Sequence, residues 1–397
     1  MTRPAIAAIA EWLSDGARSA PRAEDMLAEL CTRLAGGGIA LWRVAVFVRT
    51  LHPQVMGRRF LWRPDSGVTV SEAPFEIMET AEFRDSPVSY VYDSGIALRR
   101  RLESDGAVDF PILGDFRAEG VTDYLVLPLV FTDNAIHVAT FTTRRAGGFD
   151  DSEIAALELI ATPLARVAEI RAFRRIAGNL LDTYVGRQAG TRVLAGHIRR
   201  GDTEAIHAAI WLSDMRGFTA RADRMAPQAL IDLLNRYFDC QVPAIETRGG
   251  EVLKFMGDGL LAIFPFSGER GKAGEVCGRA LSAAREARAG VAALAAAPEI
   301  AAEGGLRFGL ALHLGEILYG NIGSGNRLDF TAIGPAVNLA ARIEKLTAGL
   351  GRFILASGEF ADHCRPDLVA IGEFALAGFS APQTVFGLTD EAAPESV

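Results

Sequence analysis

Apolar and polar positions change their period several times along the chain, and each change marks an element. Residues 4–15 and 22–35 repeat apolar side chains at helical spacing, and the second run stops at three consecutive glycines. The stretches "IALWRVAVFVRT" (39–50) and "RRFLWRP" (58–64) read as strands. A polar region follows, with turns at "PDSG" and "YDSG". Two further strands are predicted in "TDYLVLPLVFT" (122–132) and "AIHVATFTT" (135–143), and a strongly helical pattern runs from Asp150 to about Arg175. Helices, then strands, then a closing helix predict an α+β domain on an antiparallel sheet over residues 1–165.

A helical linker and connector is expected over 166–204. Its apolar stripe holds Leu164, Val167, Ile170, Phe173, Ile176 and Leu180. That near-heptad spacing suits a parallel two-helix stalk between protomers, or a helix packed on its own sheet. A second domain is expected over 205–388. It opens with strand, turn and helix in "IHAAIWLSDMRGFT", and continues with a helix from Pro227 that ends at Gly249-Gly250. A hairpin follows in "EVLKFMGDGLLAIF" (251–264), then an alanine-rich helix over 273–297. The stretch "RFGLALHLGEILYGNIG" reads as strand, turn, strand, and "RLDFTAIGPAVNLAARIEKLT" as strand, loop, helix. Residues 389–397 are acidic and polar and are expected to be a flexible tail.

Composition adds bounds. A chain of 397 residues suits about two domains. With 49% hydrophobic and 23% charged residues it suits globular cores. The net charge of -8, without a basic run, argues against a nucleic-acid partner. Cys31, Cys240, Cys277 and Cys364 are far apart and form no CxxC pair, which predicts neither a zinc site nor a disulfide framework. Acids by residue 11 and the lack of a run of about 20 apolar residues predict neither a leader nor a transmembrane segment. The expected location is the cytoplasm.

Three clusters stand out as candidate chemistry. Asp214 sits where an apolar strand ends, a common place for a metal ligand, and the backbone of Gly217, Phe218 and Thr219 after it suits phosphate oxygens. A plain turn or cap explains Asp214 equally well, with Thr219 capping the helix. Asp258 lies in a "GDG" turn that a small polar residue would fill, but a turn does not account for Lys254 inside the strand before it. If Asp258 faces Asp214, the two carboxylates repel and call for a cation such as magnesium. Asn338 and Arg342, four apart on an otherwise apolar helix, share one face and suit a ribose oxygen and a phosphate, or solvent.

Taken in order, "LSDMRGFT", "VLKFMGDGLLAIF", "HLGEILYGNIG" and "FTAIGPAVNLAARI" resemble the catalytic domain of the class III nucleotidyl cyclases over residues 205–388. The resemblance implies a ferredoxin-like α/β sandwich. It also implies two Mg2+ or Mn2+ ions at Asp214 and Asp258, a ribose contact from Asn338, α-phosphate stabilisation by Arg342 and a phosphate cradle at Gly217–Thr219. It implies a homodimer whose sites combine the two aspartates of one chain with Lys254, Thr331, Asn338 and Arg342 of the other. Lysine only donates and threonine can accept, so Lys254 with Thr331 suits adenine and ATP rather than guanine. That pair resembles the threonine-bearing adenylate cyclases. A guanylyl or mixed cyclase, or a degenerate nucleotide-binding scaffold, is the alternative. Ala377 stands where many members carry a phosphate-reaching lysine, with Arg352 as a possible substitute. The paired N-terminal strands followed by "GGFDDSEIAALELIATPLA" resemble a GAF sensor domain, with a PAS-like or an unrelated α+β module as the alternative, and leave room for an unknown small-molecule ligand.

Overall fold

The computed structural model describes residues 3–102, 109–266, 272–325 and 327–391. The chain divides into two compact units, Met1–Leu180 and Leu181–Val397.

The N-terminal unit is built on six antiparallel strands: β1 Arg43–Arg49, β2 Gly57–Arg63, β3 Gly67–Ala73, β4 Leu98–Arg101, β5 Asp123–Val130 and β6 Ile136–Thr143. Their order across the sheet is β3-β2-β1-β6-β5-β4. Side chains alternate across the pleat, so Val44 and Val46 enter one core while Phe47 faces the other way. The first face is covered by helices Arg3–Ser14, Ala23–Gly36 and the start of Asp151–Val185. The second is covered by the short helices Pro87–Ser94 and Pro111–Ala118. Strand β3 lies in the stretch expected to be irregular. It is an edge strand with mostly exposed side chains, so no apolar alternation announces it.

The helix Asp151–Val185 is longer than its periodicity suggests and runs through the division between the units. The expected stripe divides along it. Leu164 and Val167 are buried in the N-terminal core, whereas Ile170, Phe173 and Leu180 are exposed.

The C-terminal unit carries eight strands: β7 Thr203–Met215, β8 Glu251–Met256, β9 Gly259–Phe266, β10 Phe308–Ser324, β11 Arg327–Ile333, β12 Ile354–Ser357, β13 Leu368–Phe374 and β14 Gln383–Leu388. The order is β13-β14-β12-β10-β7-β9-β8, and β11 pairs with the far half of β10. Among the described residues only the β10–β12 pairing is parallel. Ala209 and Trp211 of β7 pack toward helices Pro227–Asp239 and Lys272–Ala295, while Ala208 and Ile210 pack toward helix Pro335–Gly349. Both faces of the sheet are therefore covered, which is why its central strands read as continuous apolar runs.

Residues expected to be connector are structural here. Helix Arg187–Leu194 buries Ala189 in the C-terminal core. The N–H groups of Gln188 and Ala189, at the start of that helix, donate to Glu251 Oε1 at 3.0 and 3.3 Å. The Tyr319 hydroxyl donates to Glu251 Oε2 at 2.9 Å. Glu251 thus caps the helix and opens the β8–β9 hairpin. At the other end, Thr389 donates its N–H to the Asp367 carbonyl, and Phe353 donates its N–H to the Glu391 carboxylate. Residues 389–391 are therefore held by the sheet, and the remainder of the expected tail lies outside the described residues. No helix among the described residues is long and apolar enough to cross a membrane. All four cysteines are reduced, and three of them are buried.

Replacing Glu251 by alanine strands two helix-terminal N–H groups and a buried tyrosine hydroxyl. The expected loss is about 2–3 kcal/mol of unfolding free energy, read by urea denaturation of the full chain.

Candidate active site

Strand β7 ends in Ser213-Asp214-Met215, with Ser213 opposite Leu260 of β9 and Asp214 opposite Gly309 of β10. The β8–β9 turn is Gly257-Asp258. Gly257 has φ 67°, the left-handed conformation that a tight hairpin needs. The pairing of β7 with β9 carries this turn to the end of β7. A Cβ on Gly259 would lie only 3.4 Å from Asp214 Oδ1. Asp258 is within hydrogen-bonding reach of Asp214. Burial, the adjacent Asp258 charge and Glu344 push the Asp214 carboxyl up to about 7.

A third carboxylate and a guanidinium frame this pair. Glu344, on helix Pro335–Gly349, is buried, and burial raises its pKa against the opposing effect of Arg216. Arg216 Nη2 lies 3.0 Å from Glu344 Oε1 and 3.3 Å from the Glu344 carbonyl oxygen. Arg216 passes over Gly309, where any side chain would occupy the place of its guanidinium. The four blocks of sequence did not single out this Arg216–Glu344 pair, although Arg216 lies inside the first and Glu344 directly follows the last.

Lys254 and Asp258 do not pair, although one hairpin carries both. Lys254 Nζ lies 3.2 Å from Asp329 Oδ2 on β11. A bulge between Val252 and Lys254 shifts the β8–β9 register, and Lys254 reaches β11. Thr331, two residues beyond Asp329, is buried, and its Oγ1 has no hydrogen-bond partner among the described residues. Asp329 and Thr331 share one face of β11 because side chains alternate along a strand. An acceptor beside Lys254 was missed in the sequence, since Asp329 reads there as an ordinary polar strand residue.

Asn338 and Arg342 are both exposed on helix Pro335–Gly349. At 3.6 residues per turn, Arg342 lies roughly 200° around the helix from Glu344. Glu344 faces Arg216 and the aspartates, so Asn338 and Arg342 face away from them. The structure brings Asp214 to Asp258 and Lys254 to the β11 residues, but it does not bring Asn338 and Arg342 to the carboxylates of the same chain. Gly217 adopts φ 69° and precedes the short helix Phe218–Ala222, so the Phe218 and Thr219 N–H groups lie in its first turn, without helical acceptors. Thr219 lies inside that helix and does not cap it. Ala377 is exposed in a turn, and Arg352 donates to the Glu391 carbonyl, so it is already engaged.

Residues 203–366 match the family described as the adenylate and guanylate cyclase catalytic domain. The chain carries a class III nucleotidyl cyclase catalytic domain. The cyclase domain is 33% identical over 151 residues to "Adenylate cyclase, terminal-differentiation specific" of Dictyostelium discoideum, covering 37% of this chain and 7% of that protein. It is 31% identical over 161 residues to "Adenylate cyclase" of Anabaena cylindrica, covering 40% of this chain and 31% of that protein. The chain thus spans well under half the length of either relative. A crystal structure of the adenylyl cyclase CyaB from P. aeruginosa is 30% identical, with a TM-score of 0.43, and covers 48% of this chain and 97% of that one.

Cyclase domains of this class generally use divalent metal ions. Among the described residues no group of three or more His, Cys, Asp or Glu side chains forms a metal cluster. The Asp214–Asp258 pair still fits a hard cation, because two oxygen ligands from the protein suffice where substrate phosphates complete the shell.

Between the ordinary aspartate value of 3.8 and about 7, the folded protein keeps a proton on Asp214 that the unfolded chain has lost. Stability therefore falls as pH rises through that window. Asp214→Asn removes the dependence. In metal-free buffer it is expected to raise the thermal midpoint by roughly 2–4 °C at about pH 8 and not at about pH 4, checked by calorimetry of both proteins.

Proposed function

We propose that the protein is a homodimeric adenylate cyclase, converting ATP to 3′,5′-cyclic AMP and pyrophosphate, with the N-terminal unit as a GAF-like regulatory domain. The observation that carries the cyclase reading is the pair of carboxylates held together at the end of β7. Bound there, two Mg2+ or Mn2+ ions per site would neutralise the triphosphate and acidify the ribose 3′-hydroxyl. The protein supplies alignment and charge for one in-line displacement at the α-phosphorus. Asn338 orients the ribose, Arg342 meets the charge growing on the α-phosphate, and the N–H groups around Gly217, Phe218 and Thr219 hold the outer phosphates.

Asn338 and Arg342 face away from Asp214 and Asp258 of their own chain, which supports a site shared by two copies. The six strands of the N-terminal unit, covered by helices on both faces, support the sensor reading.

The base preference rests on β8 and β11. Lys254 donates to adenine N1, and the unpartnered Thr331 hydroxyl accepts from the 6-amino group. The Dictyostelium and Anabaena relatives are named adenylate cyclases, which also supports ATP. One observation favours a mixed specificity. Asp329 stands 3.2 Å from Lys254 and is an acceptor that guanine N1–H could use.

Asp214→Asn is expected to lower cyclic AMP formation by about 100-fold or more with Mg2+ or Mn2+. Arg342→Ala is expected to do the same alone. Mixing the two inactive chains one to one creates heterodimers with one intact site, so about a quarter of wild-type activity is expected to return. No recovery on mixing would exclude the shared site. Parallel ATP and GTP assays of Asp329→Asn test the base reading. A fall of about ten-fold or more in GTP turnover relative to ATP assigns Asp329 to guanine, whereas an unchanged ratio leaves base choice to Lys254 and Thr331.

A further inference from the structure

The N-terminal unit holds a half-open cavity of about 390 Å3, within the size range of small-molecule sites. Its floor is the sheet face carrying Arg43, Phe47 and Tyr124, and its walls include Tyr92 and Phe116 from the covering helices. Arg43 is 8% exposed. Its Nε is buried without a hydrogen-bond partner, and its guanidinium lies 4.9 Å over the Phe116 ring. No carboxylate pairs with Arg43 among the described residues. Burial disfavours its charge, and so do Arg59 and Arg63, while Glu119, 3.9 Å from Arg63, favours it without pairing with it. Arg59 also lines the cavity and among the described residues donates only to the Ser71 hydroxyl, at 3.2 Å, whereas the neighbouring Arg58 is balanced by Glu72.

An arginine stays charged when buried, and a ring face restores only part of the hydration it loses. Two guanidiniums without carboxylates on one cavity wall form an incomplete ion pair. Around them the lining is largely aromatic and apolar, with two carboxylates, Glu72, which Arg58 engages, and Glu82, which is exposed. We propose that this cavity binds a small organic anion whose carboxylate or phosphate group pairs with Arg43 and Arg59 and whose apolar body packs on Phe47, Phe116 and Tyr92. Arg43 recognises the acid group through its planar fork, and the aromatic walls select against inorganic ions. This site lies outside the cyclase domain, and its assignment does not depend on which nucleotide that domain uses.

The test is calorimetric titration of the full chain with benzoate, phenyl phosphate, inorganic phosphate and benzyl alcohol. One of the two aromatic anions is expected to bind with one site per chain, and the stronger of them tells carboxylate from phosphate. Benzyl alcohol, the uncharged analogue, and inorganic phosphate are expected to bind weaker on the order of ten-fold or more. Arg43→Met is expected to lose the anion by a similar factor while melting no lower than wild type, because it removes an unpaired buried charge. Arg59→Gln, on the outer wall, gives an independent measure and is expected to weaken the same anion. Failure of both aromatic anions to bind wild type, or equal binding to wild type and to both variants, overturns the proposal.

Discussion

Two carboxylates within hydrogen-bonding reach repel one another, and the C-terminal sheet is built to keep them there. Antiparallel pairing of β7 with β9 sets the end of one strand against the turn of the next hairpin. Pairing of β7 with β10 leaves Gly309 opposite Asp214, where Arg216 can cross to Glu344. The resistance of Asp214 to ionisation reflects that confinement. A cation relieves the repulsion, so the fold holds a site under electrostatic stress that substrate and metal together would release.

The same hairpin carries a second polar task away from the first. Its bulge turns Lys254 toward β11, where Asp329 and Thr331 project side by side. Glu251 anchors the hairpin base by capping helix Arg187–Leu194 and accepting from Tyr319. Any movement of that helix would therefore be felt at the strand bearing Lys254. Helix Pro335–Gly349 also has two polar faces. Glu344 looks inward to the aspartates, while Asn338 and Arg342 look outward, as a site completed by a second copy requires.

The N-terminal unit follows a different rule. Its sheet buries apolar side chains on both faces, and the second face also holds a cavity whose Arg43 and Arg59 pair with no described carboxylate. Arginine at position 43 reads in the sequence as one polar residue in an apolar strand. Only the fold shows that no described carboxylate answers it.

Much of this was legible in the chain itself. The helices at 4–15 and 22–35 and the apolar strands of both sheets follow from periodicity and local turn chemistry, which neighbours in sequence control, whereas Asp214, Asp258, Asn338 and Arg342 were candidates with plain structural alternatives until their motifs were set beside those of the cyclases. Strand β3 was not legible, because an edge strand has no apolar face to declare it. Nor were the partners of the charged residues. Whether Lys254 meets Asp258 or Asp329, whether Arg216 meets Glu344, and whether Arg43 meets any carboxylate depend on strand register and on helix rotation. Those are set by packing between segments that lie tens of residues apart. Sequence determined which charges the chain carries and on which elements, and tertiary structure decided which of them face one another.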